Sequence, residues 1–403
     1  MTYFILPQIE YDIRPSNLKL LCKEITEDDG KLTISLKKYL NNIKGLIDKH
    51  ITQWDNAKKY TNPYEFIHTN VPNTKNSISK LKPISRAFFK LIEIYKTHHL
   101  LPQDDLPIKS FHLAEGPGGF IEATTYLRTN PDDKYYGMTL IEDKNTNIPG
   151  WNKADFLLKN HPNIELVSGA DKSGDLYNEK NLKYIIKKYA NSMDIITADG
   201  GFDFSSDFNK QEQIAFRLIF TQVIYALVMQ KKNGHFVLKI FDIFEDCTTD
   251  ILYLLSSFYE KVIIMKPYTS RYANSEKYVV CKNFKYEKID DLYPKFIGIL
   301  KFFNGFDFSK YKIKSILDIP IQNYYINSIN EINAILGHQQ IENILNTIKI
   351  ITHKDKKQEK IYNLKCQNVT KCINWCIKNN IPYSKSNISS NIFIGDRINK
   401  KTH

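Results

Sequence analysis

Phe111-His112-Leu113-Ala114-Glu115-Gly116-Pro117-Gly118-Gly119-Phe120 is the stretch on which the fold is decided. Its first four residues read as a short buried strand, the rest as a tight turn, and Ile121 to Arg128 as a helix. A strand, a Gly-rich turn and a helix N-terminus make a nucleotide-type site, because glycines let a ligand approach the backbone and the helix end offers N–H groups. The spelling disfavours a pyrophosphate reader: the G-x-G-x-x-G pattern is absent, and so is the Lys-Ser/Thr pair of a phosphate-gripping loop. A carboxylate at Glu115 suits a ligand that carries an ammonium group. Taken alone, the motif reads equally well as an ordinary loop between strand and helix.

The chain on either side supplies the rest. Asp194 to Ala198 reads as a buried strand ending on Asp199-Gly200-Gly201, and a long helix from about Gln211 to Lys231 follows. His235 to Leu238 forms the next strand and delivers Lys239. A helix from about Thr248 to Tyr259 leads to the strand Val262 to Met265, then to Ser270-Arg271-Tyr272-Ala273-Asn274-Ser275-Glu276 and a last clear strand, Lys277 to Cys281. In an open α/β sheet the carboxyl ends of the strands form the ligand crevice. Each charge alone is most simply a solvated strand end, whereas three at successive edges mark one rim.

These motifs resemble the FtsJ-like ribose 2′-O-methyltransferases, and within them the branch that methylates the first nucleotides of capped messenger RNA. Ser85-Arg86-Ala87-Phe88-Phe89-Lys90-Leu91 is similar to the family's N-terminal catalytic-lysine motif, Glu115 to Phe120 to its cofactor loop, Ala198-Asp199-Gly200-Gly201 to its catalytic aspartate, Leu238-Lys239 to its central lysine, and Ser270 to Cys281 to its glutamate segment. Gly137-Met138-Thr139-Leu140 and Gly169 to Leu176 add to the likeness, which runs from about Asp55 to Asn283. The resemblance implies a Rossmann-like S-adenosylmethionine-dependent α/β fold: a seven-stranded, mostly parallel sheet with helices on both faces, plus helical N- and C-terminal additions. It implies catalytic Lys90, Asp199, Lys239 and Glu276. It also implies cofactor contacts at Glu115, Gly116, Pro117, Gly118, Gly119, Phe120, Asp175, Leu176 and Asp199. Lys58, Lys59, Asn209, Gln211 and Asn274 resemble positions that touch substrate. Phe244 and Asp246 lie where guanine contacts are often placed, Phe244 having a core position as its alternative.

The chemistry explains the residue types. A ribose 2′-OH is a weak nucleophile and must lose its proton as it attacks a sulfonium methyl, and a lysine can accept that proton only in its neutral form. Lys239 is the expected base. Lys90 and Lys239 disfavour each other's charge, while Asp199 and Glu276 orient the amines. No metal is required.

Composition agrees with an RNA partner. The 56 Lys+Arg against 44 Asp+Glu give a formal +12, which favours a polyanion. Residues 351 to 403 hold 11 basic and 3 acidic residues and read as a platform for RNA or as a solvated helical face. The expected domains are 1–79, a mainly helical extension; 80–285, the methyltransferase; and 286–403, a basic helical region. Leu36 to Ile51, Ile316 to Ile335 and Ile341 to Ile351 show helical spacing. The most apolar run, Leu218 to Met229, is too short to span a bilayer, so no membrane partner is expected. Six scattered cysteines suit a reducing compartment. Cys366, Cys372, Cys376 and His353 match no common zinc spacing. The Ile, Asn, Lys and Tyr bias points to an AT-rich genome such as that of a large DNA virus, and hence to the host cytoplasm, a viral factory or a virion. Capped mRNA is the expected partner, alongside other capping or transcription proteins. Two readings compete with the cap reading: methylation of ribosomal or transfer RNA, and an RNA-binding subunit without turnover.

Overall fold

The computed structural model describes residues 2–25, 33–102, 105–141, 150–201, 208–353 and 358–384. Ten strands are seen among them: β1 (Tyr3–Ile5), β2 (Leu18–Glu24), β3 (Lys109–Leu113), β4 (Lys134–Met138), β5 (Ile164–Leu166), β6 (Met193–Ala198), β7 (Gln230–Ile240), β8 (Tyr259–Met265), β9 (Lys277–Phe284) and β10 (Tyr311–Leu317). The first helices are α1 (Ile34–Gly45), α2 (Ile51–Thr61), α3 (Ala87–His98), α4 (Gly119–Leu127), α5 (Asp155–Asn160) and α6 (Glu179–Tyr189). They are followed by α7 (Gln211–Met229), α8 (Asp246–Phe258), α9 (Tyr293–Gly305), α10 (Asn323–Thr352) and α11 (Gln358–Lys378).

Eight strands form one sheet in the order β1-β8-β9-β7-β6-β3-β4-β5. The five from β7 to β5 run parallel, and β9 is antiparallel to both β7 and β8. The seven expected strands are all present, and β1 adds an eighth at the edge, antiparallel to β8. Strand residues alternate between two cores, as a period of two requires. Ile195, Val237, Ile263 and Val280 face α3, α4 and α11, where Phe88, Phe89, Ile92, Phe120 and Trp375 lie. Ile196, Phe236, Leu238, Ile264 and Val279 face α6 to α10. With both faces covered, the strands read as near-continuous apolar runs. Helix α7 is long and apolar enough to cross a membrane, yet from Leu218 onward it is buried within the protein. A helix enclosed by a sheet and by α6, α8 and α9 is apolar all round for that reason.

The terminal segments are less purely helical than expected. Leu18–Glu24 and Tyr311–Leu317 pair antiparallel as a second, two-stranded sheet, tying the N-terminal segment to residues beyond the main sheet. Ile316 therefore lies in a strand, and after Pro320 the helix α10 runs unbroken from Asn323. The Leu36 to Ile51 stretch is interrupted after Gly45 and resumes as α2. Both α1 and α2 pack on α10. These additions are built around one long helix that reaches back toward the rim of the main sheet. Of the basic C-terminal stretch, residues 354–357 and 385–403 lie outside the described residues.

Candidate active site

Four charges from distant parts of the chain meet at the carboxyl ends of β6 and β7. Asp199 follows the last residue of β6, Lys239 is the penultimate residue of β7, and Glu276 precedes β9, whose antiparallel direction brings its start to the same rim. Lys90 reaches them from the first turn of α3. Lys239 Nζ donates to the Asp199 carbonyl at 2.7 Å and lies 3.3 Å from Asp199 Oδ1. Lys90 Nζ donates to the Glu276 carboxylate at 2.7 Å. Between these pairs stands Tyr278, opposite Lys239 in the β7–β9 register. Its hydroxyl donates to Asp199 Oδ1 at 2.8 Å and accepts from Lys90 at 3.4 Å. One polar path, Lys239–Asp199–Tyr278–Lys90–Glu276, thus runs along the rim.

Burial sets the electrostatics. It pushes the Lys90 amine below its ordinary value, aided by Arg86 and Lys239, while Glu276 and Asp199 act in the opposite sense. For Glu276 burial alone would raise the carboxyl, but Lys90, Lys239 and Arg86 outweigh it and hold it well below the usual carboxylate range. The Tyr278 phenol is raised by burial and by Asp199 and Glu276, so it is a neutral donor.

The segment carrying Glu276 is held from several sides. Ser270 Oγ donates to Glu276 Oε1 at 2.8 Å. Glu93 of α3 accepts from the backbone of Tyr268 and Thr269. Arg271 forms a two-pronged pair with Glu65, and Tyr272 N donates to Asn62 Oδ1. From the long helix α10, Gln340 Nε2 donates to the Ala273 carbonyl at 2.9 Å.

The Gly-rich turn is built as a close approach of backbones. Gly118 has φ +118°, a conformation open to glycine, and caps the start of α4. Gly174 has φ +66°, and a Cβ there would fall 1.8 Å from the Thr139 carbonyl. The turns after β3, β4 and β5 therefore touch one another. Glu115 has a partner the expectation did not include: its Oε1 accepts from Phe120 N at 2.7 Å and Ile121 N at 2.9 Å. Burial, with Asp199 nearby, raises this carboxyl to about 8. Its Oε1 is engaged at the helix N-terminus. The Phe120 ring is also inside the core, beside Tyr278, leaving its backbone alone in the turn. Leu176 is buried, and half-exposed Asp175 accepts from Tyr177 N through Oδ1. The rim still fits S-adenosylmethionine, the methyl donor of such a fold. Gly116 to Gly119 would hold the amino-acid end, and Asp175 with Leu176 the adenosyl end.

The expected substrate residues divide into two groups. Gln211 Oε1 accepts from Ser275, and exposed Asn274 accepts from Lys266, so both adjoin Glu276. Lys58 pairs with Asp55 on α2, and Lys59 beside it is half-exposed. Arg271 lies within electrostatic reach of Asp55. Exposed Asn209 leads into α7, and half-exposed Asp246 starts α8. Phe244 corrects an expectation: it is 3 % exposed and packs with Leu40, Ile43, Trp54, Ile341 and Ile344. A ring enclosed by α1, α2 and α10 presents no face to a guanine. Sequence reading missed Tyr278, Ser270 and Lys266 as site residues. The available signal for Tyr278 was its inward phase on β9, two residues beyond Glu276.

Residues 83–284 match the FtsJ-like methyltransferase family. The cap-specific mRNA (nucleoside-2′-O-)-methyltransferase 2 of Danio rerio is 34% identical over 274 residues, covering 65% of this chain and 36% of its own length. The cap-specific mRNA (nucleoside-2′-O-)-methyltransferase of Autographa californica nuclear polyhedrosis virus is 34% identical over 198 residues, 49% of this chain and 71% of the viral protein. Among solved structures, a putative ribosomal RNA methyltransferase from Plasmodium falciparum aligns with TM-score 0.35 at 19% identity, over 50% of this chain and 97% of its own. The chain spans about a third of the length of the animal methyltransferase 2 relatives. It belongs to the FtsJ-like methyltransferase family.

Proposed function

We propose that the chain methylates the 2′-hydroxyl of a cap-proximal ribose in messenger RNA, with S-adenosylmethionine as methyl donor. The observation that carries this reading is the continuous polar path from Lys239 to Glu276 on one rim. S-adenosylmethionine supplies an electrophilic methyl group on a sulfonium. Lys239 takes the proton of the ribose hydroxyl as general base. Asp199 fixes the direction of that amine through its carbonyl and carboxylate. The Lys90–Glu276 pair keeps a cationic donor beside the oxygen as negative charge develops. Proximity of the two lysines favours the state in which one is neutral and the other charged.

The choice of a capped substrate is supported by the names of the animal and baculoviral relatives. Composition supports a large DNA virus as the source and the host cytoplasm as the place of action. Capped mRNA is the partner this reading requires, with other capping or transcription proteins alongside it. The test is methyl transfer to matched short RNAs bearing a methylated cap, an unmethylated cap or no cap. Faster transfer to the capped RNAs is expected, and equal rates on all three defeat the cap reading.

A further inference from the structure

Lys266 is the first residue after β8, and the chain leaves the sheet there, returning at Lys277. The Met265–Tyr278 register pair closes the base of this excursion. Within it, the Lys266 ammonium is buried, at 6 % exposure, and it turns back into the segment it opens. Nζ donates to the Asn274 carbonyl at 2.7 Å, to Asn274 Oδ1 at 3.0 Å and to the Glu276 carbonyl at 2.7 Å. These are all the donors an ammonium has. Among the described residues no carboxylate lies within ion-pair distance of it, whereas neighbouring Lys277 has Asp242 at 3.2 Å. An isolated buried charge is a liability to folding. Burial, together with the nearby cations Lys277 and Lys90, depresses this amine to about 7, against the pull of Glu276 and Asp242.

Its acceptors belong to two residues with places in the site. Glu276 is the carboxylate paired to Lys90, and Asn274 is the exposed side chain next to it. Gripping both carbonyls fixes the backbone from which the Glu276 carboxylate extends. The ties from Glu93, Glu65, Asn62 and Gln340 act on residues 268 to 273; further on, Ser270 holds the Glu276 carboxylate and Lys277 the Ser275 carbonyl, while Lys266 grips the backbone carbonyls of Asn274 and Glu276. We infer that Lys266 is a positioning residue for methyl transfer, setting the Glu276 carboxylate against Lys90 and the Asn274 side chain against the substrate. This rests on the methyl-transfer reading above and goes beyond it, since Lys266 touches neither the rim lysines nor the cofactor turn.

A double-mutant cycle on kcat separates positioning from bulk structure. Lys266→Met, Glu276→Gln and the double variant are assayed with the RNA that the wild-type chain methylates best, alongside the Kd for S-adenosylmethionine. Misplacing a catalytic group by about an ångström costs up to about 100-fold. Lys266→Met is therefore expected to lower kcat about 10- to 100-fold with Kd within about 2-fold, and to lower it less than about 3-fold further when Glu276 is already Gln. An unchanged kcat, an equal loss in both backgrounds or a parallel loss of cofactor affinity overturns the inference. Should Lys266→Met fail to fold, Lys266→Gln is taken through the same cycle with the same criteria. A wild-type chain that methylates no RNA overturns the functional reading and this one together. An active wild type with an equal loss in both backgrounds overturns this one alone.

Discussion

The Tyr278 hydroxyl donates to Asp199 Oδ1 across 2.8 Å, and this bond joins the two lysine–carboxylate pairs into one network. Removing the hydroxyl leaves each pair intact but uncouples them. Tyr278→Phe is expected to lower kcat about 10-fold at unchanged cofactor affinity and to cost on the order of 1 kcal/mol of stability, the net worth of one hydrogen bond. Chemical denaturation and steady-state kinetics on the same variant check both figures. Full activity in Tyr278→Phe would show that the pairs work independently.

Lys239→Ala deletes the proposed base and keeps the glycine turn. Methyl transfer from a tritiated donor is expected to vanish, with cofactor binding measured by calorimetry nearly as in the wild type. Substantial residual turnover would move the role of base to Lys90.

Because the Phe244 ring lies inside the cluster made by α1, α2 and α10, Phe244→Ala is a core truncation, expected to cost about 3–5 kcal/mol. The ratio of rates on capped and uncapped RNA is expected to stay the same under conditions where the variant is folded. A selective loss on capped RNA would restore Phe244 to the guanine site.

Gln340→Ala probes the long helix α10. Its amide is the tie from α10 to the Ala273 carbonyl, three residues before Glu276. A fall in kcat of about 2- to 5-fold without loss of cofactor binding is expected, on the scale of one lost neutral hydrogen bond. No effect would confine α10 to packing.

Stability should depend on pH in a definite order. Burial raises Glu115 to about 8 and Glu93 and Glu212 to about 7. The folded state takes up their protons first, so stability rises as pH falls from 8 toward 6.5, with Lys266, depressed to about 7, opposing as a single group. Below 6.5 burial keeps His68, His98 and His235 neutral to about 4 and His112 to about 3, while the unfolded chain protonates, which offsets the gain. Glu65 and Asp242 resist burial through Arg271 and Arg86, and through Lys44 and Lys277, and both are held at about 2. Their contribution is present above the ordinary carboxylate range and lost as pH falls from about 4.5 to about 2. Asp250, raised to about 6 by burial, makes four raised carboxyls against four lowered histidines, so thermal denaturation is expected to show a plateau from about pH 6.5 to about 4.5 and a collapse below it. A maximum above pH 8 would contradict these protonation states.

The rim was legible because it obeys local rules. Short, near-continuous apolar runs placed β3, β6, β7, β8 and β9, and charges immediately after or before those runs had to fall at strand ends. What stayed hidden depends on partners far along the chain. The three residues of β1 carry no period, and they become a strand only against Ile263–Met265. The β2–β10 pair joins segments nearly 300 residues apart. Phe244 sits between strand and helix, and its burial is decided by α1 and α10, which no local pattern announces. For Glu115 the bonds to Phe120 N and Ile121 N were not legible, because a carboxylate before a helix can serve the helix's own N–H groups.

The most direct measurement is the location of the transferred methyl. The chain is incubated with capped RNA and a tritiated methyl donor, the RNA is digested to nucleosides and cap dinucleotides, and the products are separated by chromatography. Label on the ribose 2′-oxygen of a cap-proximal nucleotide, absent with Lys239→Ala, is the predicted result. Label on a base or on the cap guanine, or label that persists in Lys239→Ala, would contradict the account.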